Sequence, residues 1–224
     1  MQESVLIVGA GSGLSASLAR LCKSKGMKVV LAARNIDKLK PLKKEIYADT
    51  IKCDATSVKN VENLFKKTDK IIGAPNLVIY NPSKRLSGNL VDLDSKKVHE
   101  AINVTCYGGF LVAQQAAKRM LEKKRGSIFF TGATASVKGF SKSSVFAMGK
   151  FGLSGLAQSL ARELHPQNIH IGHFIIDGGI GNENYGSYKV INPDSIAKTY
   201  LDFHYQDKSA WSWEIELRTS AEKF

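Results

Sequence analysis

The stretch Val5-Leu6-Ile7-Val8-Gly9-Ala10-Gly11-Ser12-Gly13-Leu14-Ser15 decides the fold. A short, uninterrupted apolar run reads as a strand covered on both faces. Three glycines follow it, at Gly9, Gly11 and Gly13. Glycine lets the chain turn tightly and lets backbone come close to a bound group. The amphipathic stretch at 13–25 then predicts a helix, whose first N–H groups and dipole favour an anion. Strand, glycine turn and helix in this order form a cradle for a dinucleotide pyrophosphate.

Working outward, further strand-length apolar runs lie at 29–33, 50–53, 77–80, 127–131, 169–176 and 213–217. Helix-like stretches at 36–47, 58–68, 95–121, 143–164 and 193–203 separate most of them. Apolar strands alternating with helices predict a parallel sheet with helices on both sides. The expected architecture is α/β: a single-domain Rossmann fold over 1–224, with a doubly wound parallel sheet of about seven strands. No Pro/Ser-rich linker or internal repeat divides the chain. Residues 177–192, rich in Gly and Asn, read as an irregular loop at the carboxyl end of a strand, placed to act as a substrate lid. The segment 212–217 is expected to close one edge of the sheet.

Composition narrows the function classes. The chain has 224 residues, of which 43% are hydrophobic, enough for a sizeable core. No apolar run approaches the roughly 20 residues of a membrane span, and Met1–Ser4 offers no basic leader, so no membrane association and no signal peptide are expected. The three cysteines, Cys22, Cys53 and Cys106, lack a short C-x-x-C spacing, and the five histidines show no ligand pattern. No metal site is expected, and the odd cysteine count suits a reducing cytoplasm. The net charge of +12 comes from lysines scattered along helix-like segments. They read as a solvated surface, with no recognition signature for nucleic acid beside them.

The second strand ends Ala32-Ala33-Arg34-Asn35. A carboxylate here would bind a ribose 2′-hydroxyl and favour NAD(H), whereas Arg34 suits a 2′-phosphate. The expected cofactor is therefore NADP(H) rather than NAD(H).

The chain resembles the short-chain dehydrogenase/reductase family. Gly9 and Gly13 match the first two glycines of its turn, with Ser15 where the last glycine stands. Cys53-Asp54, Tyr80-Asn81-Pro82-Ser83, Asn103-Val104-Thr105 and Gly126 to Gly132 match further motifs in family order. The resemblance implies cofactor contacts from Gly9, Gly11, Ser12, Gly13, Leu14, Arg34, Asp54, Asn81, Lys150 and Gly178. Asp54 would meet the adenine, and Gly178 stands where the family contacts the nicotinamide carboxamide. The active-site motif departs from the pattern. Ala133 occupies the position of the family's serine. Phe146-Ala147-Met148-Gly149-Lys150 keeps the spacing of Y-x-x-x-K with Phe146 in place of the tyrosine. Phenylalanine transfers no proton, and alanine donates no hydrogen bond.

The resemblance implies an oxidoreductase that moves hydride to or from a small carbonyl, alcohol or enoyl substrate, with a rearranged acid/base. Asn103, Lys150 and Thr134 are the candidate catalytic residues. Other hydroxyls or phenols within reach in sequence are Thr131, Ser141, Ser143, Ser144, Tyr80, Tyr185 and Tyr188, while Asp177 reads as an acid/base or a turn cap. The alternative is an NADP(H)-binding sensor or scaffold without turnover. The family's habit of pairing through its two long helices implies a homodimer or homotetramer.

Overall fold

A computed structural model describes residues 2–183 and 190–221. Seven parallel strands form the main sheet: β1 (Ser4–Val8), β2 (Lys28–Ala33), β3 (Asp49–Lys52), β4 (Leu77–Tyr80), β5 (Gly126–Thr131), β6 (Ile169–Asp177) and, last in the chain, β9 (Glu214–Arg218). Their order across the sheet is β3-β2-β1-β4-β5-β6-β9. This is the expected doubly wound arrangement, with the terminal strand at one edge, shifted by one residue from the 213–217 expected.

The period of two sorts each strand's side chains onto two cores. Val5, Ile7, Leu31, Ile79 and Phe129 face one side, against α1 (Leu14–Ser24), α2 (Lys40–Ile46) and, later in the chain, α7 (Pro193–His204). Leu6, Val8, Val30, Val78, Tyr80 and Ile128 face the other. They are covered there by α3 (Val58–Ile72), α5 (Gly108–Lys123) and α6 (Ser144–Leu164). All five residues of β1 and all four of β4 are buried, which explains why these runs carry no polar alternation.

Three segments differ from the sequence expectation. The helix expected at 95–121 is α4 (Ser95–Ile102) and α5 joined by a π-turn, Asn103–Tyr107. Such a turn inserts one residue into the helical ladder and frees backbone groups. Here the buried Tyr80 hydroxyl donates to the Val104 carbonyl, and Thr105 Oγ1 accepts from the Lys84 N–H at 3.1 Å. The helix expected at 36–47 begins as a 3₁₀ turn, Asp37–Leu39, before α2. The irregular loop at 177–192 has an ordered base: β7 (Gly179–Ile180) pairs in parallel with β8 (Val190–Ile191). Asn192 then caps α7, accepting from the N–H groups of Asp194 and Ser195. Tyr185 and Tyr188, the phenols considered above, lie outside the described residues.

Phe129 anchors the core between β5, β6 and α7. It is fully buried, with Phe174, Phe203 and Tyr200 edge-on at 5.2, 5.7 and 6.2 Å. Removing a ring so enclosed leaves a cavity its neighbours cannot fill. Phe129→Ala is expected to lower unfolding free energy by about 3–5 kcal/mol, read as a drop in the denaturant midpoint at unchanged slope.

Candidate functional site

The site begins where the chain diverges after β1 and β4. These strands are neighbours, but their crossovers run to opposite sides, so a cleft opens at their carboxyl ends. Gly9 carries the turn in a left-handed conformation, φ +81°, and a Cβ there would stand 2.7 Å from Pro82. Only glycine fits this position, because both the backbone angle and the neighbouring loop exclude a side chain. Gly9 and Ala10 donate to the Ala32 carbonyl at 2.9 and 3.0 Å, which folds the turn over the end of β2.

Ser15, the residue two beyond Gly13, acts as a clamp. Its buried hydroxyl donates to the Gly9 carbonyl at 3.2 Å and accepts from Asn81 Nδ2 at 2.7 Å. Asn81 N–H donates to the Val8 carbonyl at 3.0 Å. Asn81 and Ser15 thus tie the two diverging loops together. At Gly11 and Gly13 nothing lies within 4 Å of where a Cβ would stand. The turn and the first N–H groups of α1 therefore border open space with the shape and polarity for a pyrophosphate.

The cleft has two lobes that share Gly9, Asn81 and Ser83. One, of about 390 Å³, lies over the ends of β2 and β3, with Arg34, Lys38 and Asp54 in its wall. Asp54 Oδ1 accepts from the backbone N–H and the hydroxyl of Thr56 at 3.0 and 2.8 Å, which fixes the carboxylate. The other lobe, of about 500 Å³, lies over β5 and β6. Its wall includes Gly11, Gly13, Leu14, Ala133, Phe146, Lys150 and Gly178. Eleven of the sequence candidates therefore meet in one continuous cleft: Gly9, Gly11, Gly13, Leu14, Arg34, Asp54, Asn81, Ala133, Phe146, Lys150 and Gly178. Ser12, Asn103 and Thr134 line neither lobe.

Lys150 dominates the second lobe chemically. It is 2% exposed, and its ammonium donates to the Thr131 carbonyl at 2.6 Å. No carboxylate pairs with it among the described residues. Burial, reinforced by the positive charge of Arg85, pulls its pKa down to about 7. Phe146 lies 5.8 Å from the ammonium, measured to its ring centroid, and carries the Arg85 guanidinium over its face at 4.6 Å.

Three of the other candidate hydroxyls, those of Thr134, Thr131 and Tyr80, are engaged elsewhere. The Thr134 hydroxyl donates to Asp177, which also pairs with Arg218 at 3.0 Å. The Thr131 hydroxyl shares a 2.9 Å bond with the buried Tyr200 phenol, and Tyr80 is bound to Val104. Burial raises both phenols far above the ordinary tyrosine range.

Sequence reasoning did not single out Arg85, Lys38 or the chain Ser136–His173–Glu214. Ser136 Oγ accepts from the Ala133 N–H at 3.1 Å and faces His173 Nε2 at 3.4 Å. On the other side His173 Nδ1 bonds Glu214 at 2.8 Å. A neutral imidazole with its proton on Nδ1 satisfies all three contacts. Burial lowers the His173 pKa, although Glu214 opposes the shift. The chain is a buried brace beneath the Ala133 turn, and residues this far apart leave no local signature.

Fold and cleft together define a dinucleotide-binding α/β protein. The family model described as short chain dehydrogenase matches residues 3–180, and the chain belongs to the short-chain dehydrogenase/reductase family of oxidoreductases. An uncharacterised oxidoreductase of Staphylococcus aureus strain N315 is 29% identical over 223 residues, 95% of each chain. A crystal structure of a short-chain dehydrogenase from Rhodopseudomonas palustris is similar at TM-score 0.87 and 32% identity, over 97% of this chain and 98% of that one. A metagenomic short-chain oxidoreductase, solved in complex with NADP, shares the fold at TM-score 0.86 and 23% identity, covering 97% of both.

A buried cation without a counter-ion costs stability. Between about 7 and the ordinary lysine value of 10.5 the unfolded chain binds the proton that folded Lys150 has lost. The penalty is therefore full below about 7 and is relieved as pH rises. Lys150→Met is expected to raise unfolding free energy by about 1–3 kcal/mol at pH 6, with the advantage shrinking toward pH 10, in denaturant titrations of the cofactor-free protein.

Proposed function

We propose that this chain is an NADP(H)-dependent oxidoreductase that interconverts a small carbonyl compound and its alcohol, with Lys150 as the proton carrier. An enoyl substrate would use the same machinery. The observation that carries this reading is a buried ammonium with no carboxylate partner among the described residues, in the wall of the wider lobe, beside a phenylalanine and an alanine that can do no proton chemistry.

The residues present fit the cofactor. The turn from Gly9 to Leu14, Ser12 included, would hold the pyrophosphate. Arg34, assisted by Lys38, would pair with a 2′-phosphate, and Asp54 would meet the adenine. Asn81, Lys150 and Gly178 would hold the nicotinamide riboside. The NADP carried by the metagenomic relative supports the same choice. When bound, the cofactor supplies or accepts the hydride.

In reduction, protonated Lys150 gives one proton to the carbonyl oxygen as hydride reaches the carbonyl carbon, and solvent reprotonates the amine. In oxidation the neutral amine takes the alcohol proton. An amine with a pKa near 7 has both forms available at neutral pH, the condition under which general acid–base catalysis works best. Thr134, tied to Asp177, orders the turn beneath the substrate. Asn103 opens the π-turn that packs against α6, where a Cβ on Gly149 would come within 2.9 Å of Thr105. Its part is to shape that contact beside Lys150.

The segment 177–192 serves as the substrate lid in this reading, and its described ends pair as the β7–β8 ladder. Phe110 and Phe151, exposed on α5 and α6, support assembly into a homodimer or homotetramer. The free cysteines fit a reducing cytoplasm.

Calorimetric titration tests the cofactor reading. NADPH is expected to bind at roughly micromolar affinity, with Arg34→Ala weakening NADPH about tenfold or more and leaving NADH little changed. The reading fails if no nicotinamide form binds. Steady-state assays on a carbonyl panel test the proton carrier. The rate of reduction should fall about tenfold per pH unit above about 7, and Lys150→Met should lose roughly 10²–10⁴-fold of turnover. A flat profile from pH 6 to 9 would remove Lys150 from that role.

A further inference from the structure

Arg85 transfers no proton in the chemistry assigned to Lys150, yet it stands at the same lobe. The segment after β4 is pinned at three backbone points. Asn81 N–H donates to the Val8 carbonyl, Lys84 N–H to Thr105 Oγ1, and Gly88 N–H to the Lys142 carbonyl. Arg85 sits between the last two, and its guanidinium lies over the face of Phe146. A ring in this position orients the planar cation and leaves its N–H edge free to bind.

The charges around Arg85 are unbalanced. Its neighbour Lys84 is neutralised by Glu100 at 2.6 Å, whereas Arg85 has no carboxylate partner among the described residues. Among the described residues no Asp or Glu lines the wider lobe. Asp177, at the end of β6, is engaged by Thr134 and Arg218. Two cations, Arg85 and Lys150, therefore share a lobe without an acidic side chain in its wall. The pyrophosphate has its own donors in the backbone of the glycine turn, and the narrower lobe has its own cations in Arg34 and Lys38. The excess positive charge is left for the second reactant.

We propose that Arg85 is a specificity-determining residue that pairs with an anionic group of the substrate, so that the substrate is a small carbonyl or alcohol compound carrying a carboxylate or a phosphate. The pairing rests on the reading of this cleft as a hydride-transfer site. The guanidinium edge matches either oxyanion through paired N–H donors. Phe146 has a use here that its lack of a proton hides: it is the platform that aims the cation. Arg85 touches the substrate and transfers no proton.

Two matched probe pairs test this by calorimetry, on the cofactor-free and the NADPH-loaded protein. They are acetoacetate against methyl acetoacetate, and dihydroxyacetone phosphate against dihydroxyacetone. The anionic member of at least one pair is expected to bind about tenfold tighter than its neutral partner or more. The favoured pair distinguishes carboxylate from phosphate. Arg85→Leu should abolish the preference, and Arg85→Lys should restore part of it. NADPH affinity should be the same in the wild type and in Arg85→Leu. The proposal is overturned if neither anion is preferred, or if the preference survives in Arg85→Leu. It is also overturned if Arg85→Leu weakens NADPH, which would assign Arg85 to the cofactor. Failure of the wild type to bind NADPH would instead defeat the cofactor reading, with the anion preference still read on the cofactor-free protein.

Discussion

The site depends on one constraint: two adjacent parallel strands, β1 and β4, whose following segments must part in opposite directions. Parting opens space at the strand ends, and buried backbone groups there need partners. Ser15 and Asn81 meet that need by bonding to each other and to the backbone of Gly9 and Val8. The same bonds set the height of the glycine turn against Pro82 and the direction in which the β4 segment leaves. Arg85 inherits its position from that direction, and Lys150 approaches from α6 on the far side. The floor of the cleft is thus a small hydrogen-bonded clamp, and the chemistry is arranged around its rim.

A second constraint is electrostatic. Phe146 offers no hydroxyl to Lys150, and among the described residues the buried ammonium has a carbonyl, that of Thr131, as its hydrogen-bond partner. A lone buried ammonium is unstable toward proton loss, and Arg85 pushes in the same direction. The fixed cation of Arg85 and the titrating cation of Lys150, both close to the Phe146 ring, then act on the same small volume. One is permanently charged and suited to hold an anion, and the other is poised to move a proton.

Much of this was legible in the sequence where the physics is local. Val5 to Val8 read as a buried strand because no polar residue interrupts the run. Gly9 to Gly13 read as a phosphate turn because few other sequences permit such backbone. Phe146 and Lys150 shared one helix face by spacing alone. What could not be read depends on contacts between distant segments. The π-turn at Asn103–Tyr107 answers to Tyr80 and Lys84. β7 and β8 are two residues each and carry no periodicity. Thr134 looked available as a hydrogen-bond donor, but Asp177 from another strand holds it. The depth of Lys150 and the stacking of Arg85 on Phe146 arise only once α6 lies against the β4 segment.

The most direct test of the account is the ionisation of Lys150 itself, followed by the ¹³C shift of its Cε across a pH titration of the folded protein, with Lys150→Met to assign the signal. A midpoint near 7 is expected, because burial and the Arg85 charge both disfavour the ammonium. A midpoint near the ordinary lysine value of about 10.4 would contradict it, leaving Lys150 a permanent cation and the proton without a carrier.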